Sequence, residues 1–207
     1  MTARPAAGVI LCGGASSRMG TAKALLPLDG TPLVAHLARA MAAAALDPVV
    51  AVTSALGPRA AELQPHVPRV LVDGAAPGAS GPLHALVAAW DALGDDRALV
   101  CWPVDQPCVP PAVLADLAGG PGPFRHLPGD PLCAWVDGSL AAAARDLLRR
   151  GHTGVRRLAR LATATLVPRT RLLALDPVGA WSWRCNTPEE FARLRARRQE
   201  CAMRGGA

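Results

Sequence analysis

Short apolar runs and helix-patterned segments take turns along this chain. Residues 9–12, 49–53, 69–73 and 98–105 each read as a strand, and the runs are apolar almost without interruption. A strand exposed on one face alternates apolar with polar positions, whereas a continuous run suits a strand covered on both faces. Between the runs lie helical patterns. Residues 31–46 give a helix with Thr31 as N-cap and Pro32 at its first position, where a missing N–H does no harm. A short helix is expected over residues 58–63, an apolar one over 81–93 with Ser80 near its start, and a Pro-entered one over 110–117. Strand, crossover helix, strand is the grammar of an α/β fold with a mostly parallel sheet between helical layers.

The second half is less regular. Residues 124–127 and 131–136 read as strands flanking the turn Pro128-Gly129-Asp130-Pro131, so part of the sheet is expected to be antiparallel. Helices over 139–150 and 153–161 and a strand at 165–167 follow. Residues 186–199 close the chain as a helix with Thr187 as N-cap, Pro188 at the first position and Glu190 as capping-box acid. No internal repeat or linker interrupts the pattern, so residues 1–207 read as a single domain.

Composition narrows the function classes. Apolar residues make up 51%, enough for a substantial core. The net charge is +6, which suits an anionic ligand. The arginines are scattered rather than clustered, which argues against nucleic acid. The six cysteines form no CxxC pair, and Cys12, Cys101 and Cys133 fall within apolar strands, as buried thiols do. No run reaches membrane-spanning length uninterrupted, and the apolar stretch near the N-terminus is short for a secretory leader. A soluble cytoplasmic protein, with no membrane or nucleic-acid partner, is the expectation.

One loop stands apart. Leu11-Cys-Gly-Gly-Ala-Ser-Ser-Arg-Met-Gly-Thr-Ala-Lys23 follows the first strand directly. Glycines let backbone N–H groups approach phosphate oxygens, and the carboxyl ends of parallel strands are where such ligands bind. Lys23 is the one lysine of a chain whose lysines and arginines together number 22. A compact ammonium kept among so many guanidinium groups points to a site that needs the smaller cation. The loop is no Walker loop, because Ala22 precedes the lysine and Ala24 follows it. Nor is it a dinucleotide loop, because the glycines do not run as GxGxxG into a helix.

The stretch from Leu11 to Leu33 resembles the signature of the molybdenum cofactor guanylyltransferase family, within the glycosyltransferase-A-like nucleotidyltransferases. Further stretches follow that family's order: Gly-Pro-Leu-His-Ala-Leu from Gly81, Pro-Val-Asp-Gln-Pro-Cys-Val-Pro-Pro from Pro103, Pro-Leu-Cys-Ala-Trp-Val from Pro131 and Asn-Thr-Pro-Glu-Glu from Asn186. The resemblance covers nearly the whole chain. It implies a Rossmann-like three-layer α/β/α sandwich with a mostly parallel mixed sheet. It implies GTP and Mg²⁺ as ligands, transfer of GMP to the phosphate of molybdopterin (the molybdenum cofactor), and release of pyrophosphate. By position it assigns Leu11, Cys12, Gly13, Gly14, Lys23, Asp73 and Asp105 to the nucleotide. Asp105 also matches the metal ligand, and Arg18, Lys23 and Asp105 are the catalytic candidates. Molybdoenzymes or cofactor-handling proteins are further candidate partners.

The chemistry of those residue types agrees. Nucleotidyl transfer is an in-line displacement in which the protein mainly positions groups and stabilises charge. Mg²⁺ takes one or two carboxylates and fills its shell with phosphate oxygens and water. Asp105 and Asp73 both end strands, where a ligand carboxylate or an ordinary loop cap can sit. Asn186 can reach metal or phosphates, although capping the last helix is its ordinary use. Trp181 and Trp183 alternate as on an extended segment, with core packing favoured over stacking on a pterin.

Five positions depart from the family's pattern. Cys12 replaces an alanine, Ala22 replaces an acid, Thr53 stands where an asparagine contacts the nucleotide, and His84-Ala85 replaces Ala-Gly near the base. These bear on base and acceptor specificity. Three other readings stay open: a cytidylyltransferase or other NTP transferase on a phosphorylated acceptor, a non-catalytic nucleotide- or cofactor-binding module on the same fold, and, more distantly, a Rossmann oxidoreductase.

Overall fold

A computed structural model describes residues 6–13, 22–55, 57–74 and 80–205. Gly14 and Arg18 of the expected site lie outside the described residues.

The strands are β1 (Ala7–Leu11), β2 (Pro27–Leu28), β3 (Thr31–Pro32), β4 (Val49–Thr53), β5 (Arg69–Val72), β6 (Leu99–Pro103), β7 (Phe124–Leu127), β8 (Asp130–Val136) and β9 (Thr165–Leu166). The helices are α1 (Leu33–Ala43), α2 (Ala60–Leu63), α3 (Pro82–Leu93), α4 (Pro111–Ala118), α5 (Ala141–Arg149), α6 (Val155–Leu161), α7 (Arg169–Leu175) and α8 (Pro188–Gly205). Seven strands form one sheet in the order β5-β4-β1-β6-β8-β7-β9. The first four are parallel to one another. β8 runs antiparallel to β6 and to β7, and β9 is parallel to β7. The sheet is thus mixed, with the antiparallel part where the Pro-Gly-Asp-Pro turn predicts it.

Strand alternation builds two cores. Ile10, Ala51, Val100 and Trp102 face a layer containing Leu37 and Met41 of α1, Leu114 of α4 and Leu194 of α8. Val9, Val50, Val52 and Cys101 face the other layer, with Leu86 and Trp90 of α3, Leu147 of α5 and Leu158 of α6. The run Val-Val-Ala-Val-Thr in β4 is apolar up to its last residue because every one of its positions is buried. Gly8 permits a close approach of α1 to the sheet, since a Cβ there would sit 2.7 Å from the Met41 sulfur. All six cysteines are free, and Cys12, Cys101, Cys133 and Cys185 are buried.

Several boundaries move. Thr31 and Pro32 pair with Pro27 and Leu28 in a small hairpin, so α1 starts at Leu33 and Thr31 does not cap it. β6 stops at Pro103, and Asp105 sits in the turn beyond rather than on the strand. Proline lacks the N–H that continues a ladder. The turn is fastened from both sides instead, by Val104 N–H to Leu11 O at 3.1 Å and Trp102 Nε1–H to Gln106 O at 2.9 Å. α7 has no counterpart in the sequence pattern, because its single buried residue, Leu172, leaves no apolar stripe to read. Trp181 lies on a 3₁₀ turn, Ala180–Ser182, and both Trp181 and Trp183 pack on the core. Among the described residues no helix is long and apolar enough to cross a membrane.

The chain runs from β1 outward to β4 and β5, then returns to place β6 on the other side of β1. That reversal leaves a crevice at the carboxyl end of β1, the position where open α/β sheets bind ligands.

Candidate active site

Three distant segments meet at this crevice. The first is the 3₁₀ turn Lys23–Leu25 at the end of the glycine-rich loop. The second is the turn holding Asp105 after β6. The third is the entry to α8, stitched down by Cys185 N–H donating to Asp105 O at 2.9 Å. Capping fixes that entry further. Glu190 N–H donates to Thr187 Oγ1 at 3.2 Å, and Asn186 N–H donates to the Glu190 carboxylate at 2.6 Å. Thr187 therefore caps the helix, and the Asn186 side chain is left for another use: it accepts a hydrogen bond from Lys23 Nζ at 2.7 Å.

Asp105 lies beside this pair. Its Oδ1 is buried with no hydrogen-bond partner among the described residues. Burial pushes its pKa above the usual carboxylate range; the charges of Lys23 and Arg184 resist, Asp130 pushes further up, and Asn186 resists through hydrogen bonding. Asp130, at the first position of β8, is itself buried. Its Oδ2 accepts from Gln106 Nε2 and from Arg184 Nη2, both at 2.6 Å, and its Oδ1 accepts from Leu132 N–H at 3.0 Å. Two carboxylates, an ammonium and a guanidinium thus share one corner of the crevice.

The crevice encloses a cavity of about 330 Å³. Leu11, Cys12, Gly13, Lys23, Asp73 and Asp105 all line it, although they come from the ends of β1, β5 and β6 and from the turn at Lys23. Ala85 lines it as well. Thr53 and His84 are not among the lining residues. Thr53 is turned away, its hydroxyl donating to Pro58 O at 2.8 Å, while the next residue, Ser54, faces the cavity.

Ser54, Gln106, Arg184 and Asp130 carry no motif spacing. Asp130 reads in the sequence as one polar residue of a turn. Its placement depends on β8 pairing back onto β6, through Leu99 opposite Val136 and Cys101 opposite Ala134. An acid directly preceding an apolar strand is the one trace it leaves.

A hard divalent cation fits this donor set. The free lone pairs of a buried carboxylate oxygen beside an amide are the protein's share of a Mg²⁺ shell, with the remainder coming from phosphates and water. Among the described residues no group of three or more His, Cys, Asp or Glu side chains could hold a metal alone.

A doubly covered sheet with a switch-point crevice, a glycine-flanked strand end, one ammonium and one carboxylate with a buried, unpartnered oxygen defines a nucleotide-binding α/β protein equipped for phosphoryl chemistry. The description of a MobA-like NTP transferase domain matches residues 8–200. The chain belongs to that family. It is 32% identical over 195 residues to a molybdenum cofactor guanylyltransferase of Xanthomonas euvesicatoria, spanning 92% of this chain and 95% of that one. The fold superposes on a molybdopterin-guanine dinucleotide biosynthesis protein A from Archaeoglobus fulgidus with a TM-score of 0.76 at 20% identity, covering 93% of this chain and 98% of that one. A Mycobacterium tuberculosis protein solved in complex with manganese shares the fold with a TM-score of 0.63 at 16% identity, over 93% and 99% of the two chains.

Proposed function

We propose that this chain transfers GMP from GTP to the phosphate of molybdopterin, with Mg²⁺ held at Asp105 and pyrophosphate as the second product. The observation that carries the reading is the convergence of Lys23, Asn186 and Asp105 at one end of the cavity. The similarity to the Xanthomonas guanylyltransferase over nearly its full length supports the choice of substrates. The manganese-bound fold relative supports a divalent ion.

In the reaction a phosphate oxygen of the acceptor attacks the α-phosphorus, and the bond from that phosphorus to the β-phosphate bridging oxygen breaks. Negative charge accumulates on the departing pyrophosphate. Lys23 closes the glycine-rich loop in the sequence and lines the cavity. Its ammonium meets that charge, and Asn186 holds the flexible side chain in position beforehand. Preorganised donors of this kind act because no reorganisation is required as charge develops. Arg18 is assigned a parallel role from its place in the loop motif. When bound, Mg²⁺ neutralises phosphate charge and aligns the oxygens. The carboxylate of Asp105 supplies the negative charge that retains it, while Gln106 and Arg184 hold Asp130 aside in its own hydrogen bonds. Cys12 lines the cavity without offering a thiolate, since burial pushes its thiol up to about 12.

Isothermal titration with each of the four nucleoside triphosphates, with and without Mg²⁺, tests the reading. GTP is expected to bind most tightly and to lose its Mg²⁺ dependence in Asp105→Asn. Tighter binding of CTP overturns the guanylyl assignment. Absence of binding by any of them at millimolar concentration favours a non-catalytic module.

A further inference from the structure

The surplus of positive charge is not spread evenly along the chain. Residues 147–175 hold seven arginines and no aspartate or glutamate, so this one segment carries more positive charge than the net +6 of the whole protein. Two of the seven, Arg156 and Arg160, stand one turn apart on α6 and line a groove of about 480 Å³ between that helix and the β7–β8 turn. Like charges at this spacing destabilise a helix unless something neutralises them. Arg145, Arg150, Arg171 and Arg184 each reach a carboxylate. Arg156 and Arg160 have no ion pair among the described residues, and no acidic side chain lines the groove.

The rest of the lining narrows the anion. His126 of β7 lines the same groove, and its Nδ1 lies 2.8 Å from Leu127 O. Toward a carbonyl a ring nitrogen can only donate, so in the neutral imidazole Nε2 keeps the lone pair and accepts. Thr163, just beyond α6, adds a hydroxyl-bearing side chain to the lining. It holds φ at +49°, a left-handed conformation that costs a β-branched residue free energy and is kept where the side chain has a use. Two guanidinium groups suit the oxygens of phosphate, and a ring acceptor suits the hydrogen of a P–OH group. We propose that this groove is a second anion site, which binds a phosphate group that still carries a proton. It shares no lining residue with the catalytic cavity but adjoins it: Pro131 lines the groove and Leu132 the cavity. Leu83 N–H donates to Thr153 O at 3.0 Å and ties the entry of α3 to the segment leading into α6. Phosphate held here is either the free ion or the phosphate of an acceptor that has not yet reached the nucleotide.

Inorganic phosphate is the probe. Wild type and the double variant Arg156→Gln/Arg160→Gln are titrated with it at neutral pH, with and without GTP and Mg²⁺. Wild type is expected to take up one phosphate in both conditions, and the double variant to bind it at least about tenfold more weakly, as for lost charge-assisted hydrogen bonds. Sulfate, which has no proton to donate at this pH, should bind wild type more weakly than phosphate, and His126→Phe should remove that preference. The ligand-free double variant should melt at or above the wild-type temperature, because a like-charge pair is gone. Millimolar phosphate should raise the melting temperature of wild type and leave that of the double variant unchanged. Equal phosphate affinity in wild type and double variant overturns the proposal. So does phosphate binding that vanishes when GTP and Mg²⁺ are present, since the ion then occupies the catalytic cavity. Sulfate bound as tightly as phosphate overturns the role of the proton and of His126. Steady-state rates separate the two sources: a raised KM for molybdopterin with unchanged kcat in the double variant assigns the groove to the acceptor, and an unchanged KM assigns it to the free ion. The titrations are independent of which nucleotide the protein uses, so the second site can fail while the proposed function stands, and the reverse.

Discussion

Lys23 Nζ holds the Asn186 side chain at 2.7 Å, and the same ammonium partly offsets the charge of Asp105. Lys23→Ala removes a preorganised donor, so turnover is expected to fall by ~10²–10³. Lys23→Arg should restore little, because a planar fork cannot take the place of a compact ammonium against Asn186. Steady-state rates of both variants check this, and near-wild-type turnover in Lys23→Ala would remove the lysine from the mechanism. Asp105 gives a prediction in pH. Its folded-state pKa is raised, chiefly by burial. Its contribution to stability is therefore full below the unfolded carboxylate range and is lost as pH rises through the folded value. Ionising the buried carboxylate is thus a cost to the ligand-free protein. Asp105→Asn should then melt at or above the wild-type temperature at pH 7, with the advantage shrinking as pH falls toward the ordinary carboxylate range. A variant that melts well below wild type at pH 7 would show that the carboxylate holds the fold together rather than the ligand.

The entry to α8 shows how a local motif places a catalytic group. Thr187 and Glu190 form the cap, and their bonds orient the turn that presents Asn186. Thr187→Ala is expected to cost ~1 kcal/mol of stability, the usual worth of an N-cap. It should also lower turnover several-fold, because Asn186 rides on the same turn. Thermal unfolding and rates on one preparation test both halves, and a stability loss with full turnover would uncouple cap from site. This cap was legible in the sequence because it is local: four adjacent residues specify it. The parallel strands were legible for a similar reason, since burial on both faces leaves continuous apolar runs in β1, β4 and β6. What stayed hidden depends on distant partners. Asp130 reaches the site through antiparallel pairing of β8 to β6, and Thr31 lost its capping role to a pairing with Leu28. The choice between Thr53 and Ser54, adjacent hydroxyls, is made by how closely Gly57 packs on Thr53 and Cys12.

Across the molecule, the sheet order brings Leu11, Lys23, Asp73 and Asp105 around one cavity although they span most of the first half of the chain. The reversal at β1 creates the crevice, and helices pack on both faces of the sheet that carries it. The net charge of +6 favours the approach of an anionic nucleotide and an anionic acceptor. Every part of this arrangement serves one claim, that the α-phosphoryl group of GTP is what moves. The direct measurement follows a radiolabel in reactions of the chain with Mg²⁺, molybdopterin and GTP carrying ³²P at either the α or the γ position. The α label is predicted to appear in the pterin product and the γ label in pyrophosphate, with both transfers absent in Asp105→Asn. Appearance of the γ label as orthophosphate, with no α label on the pterin, would contradict nucleotidyl transfer and make this crevice the site of a different reaction.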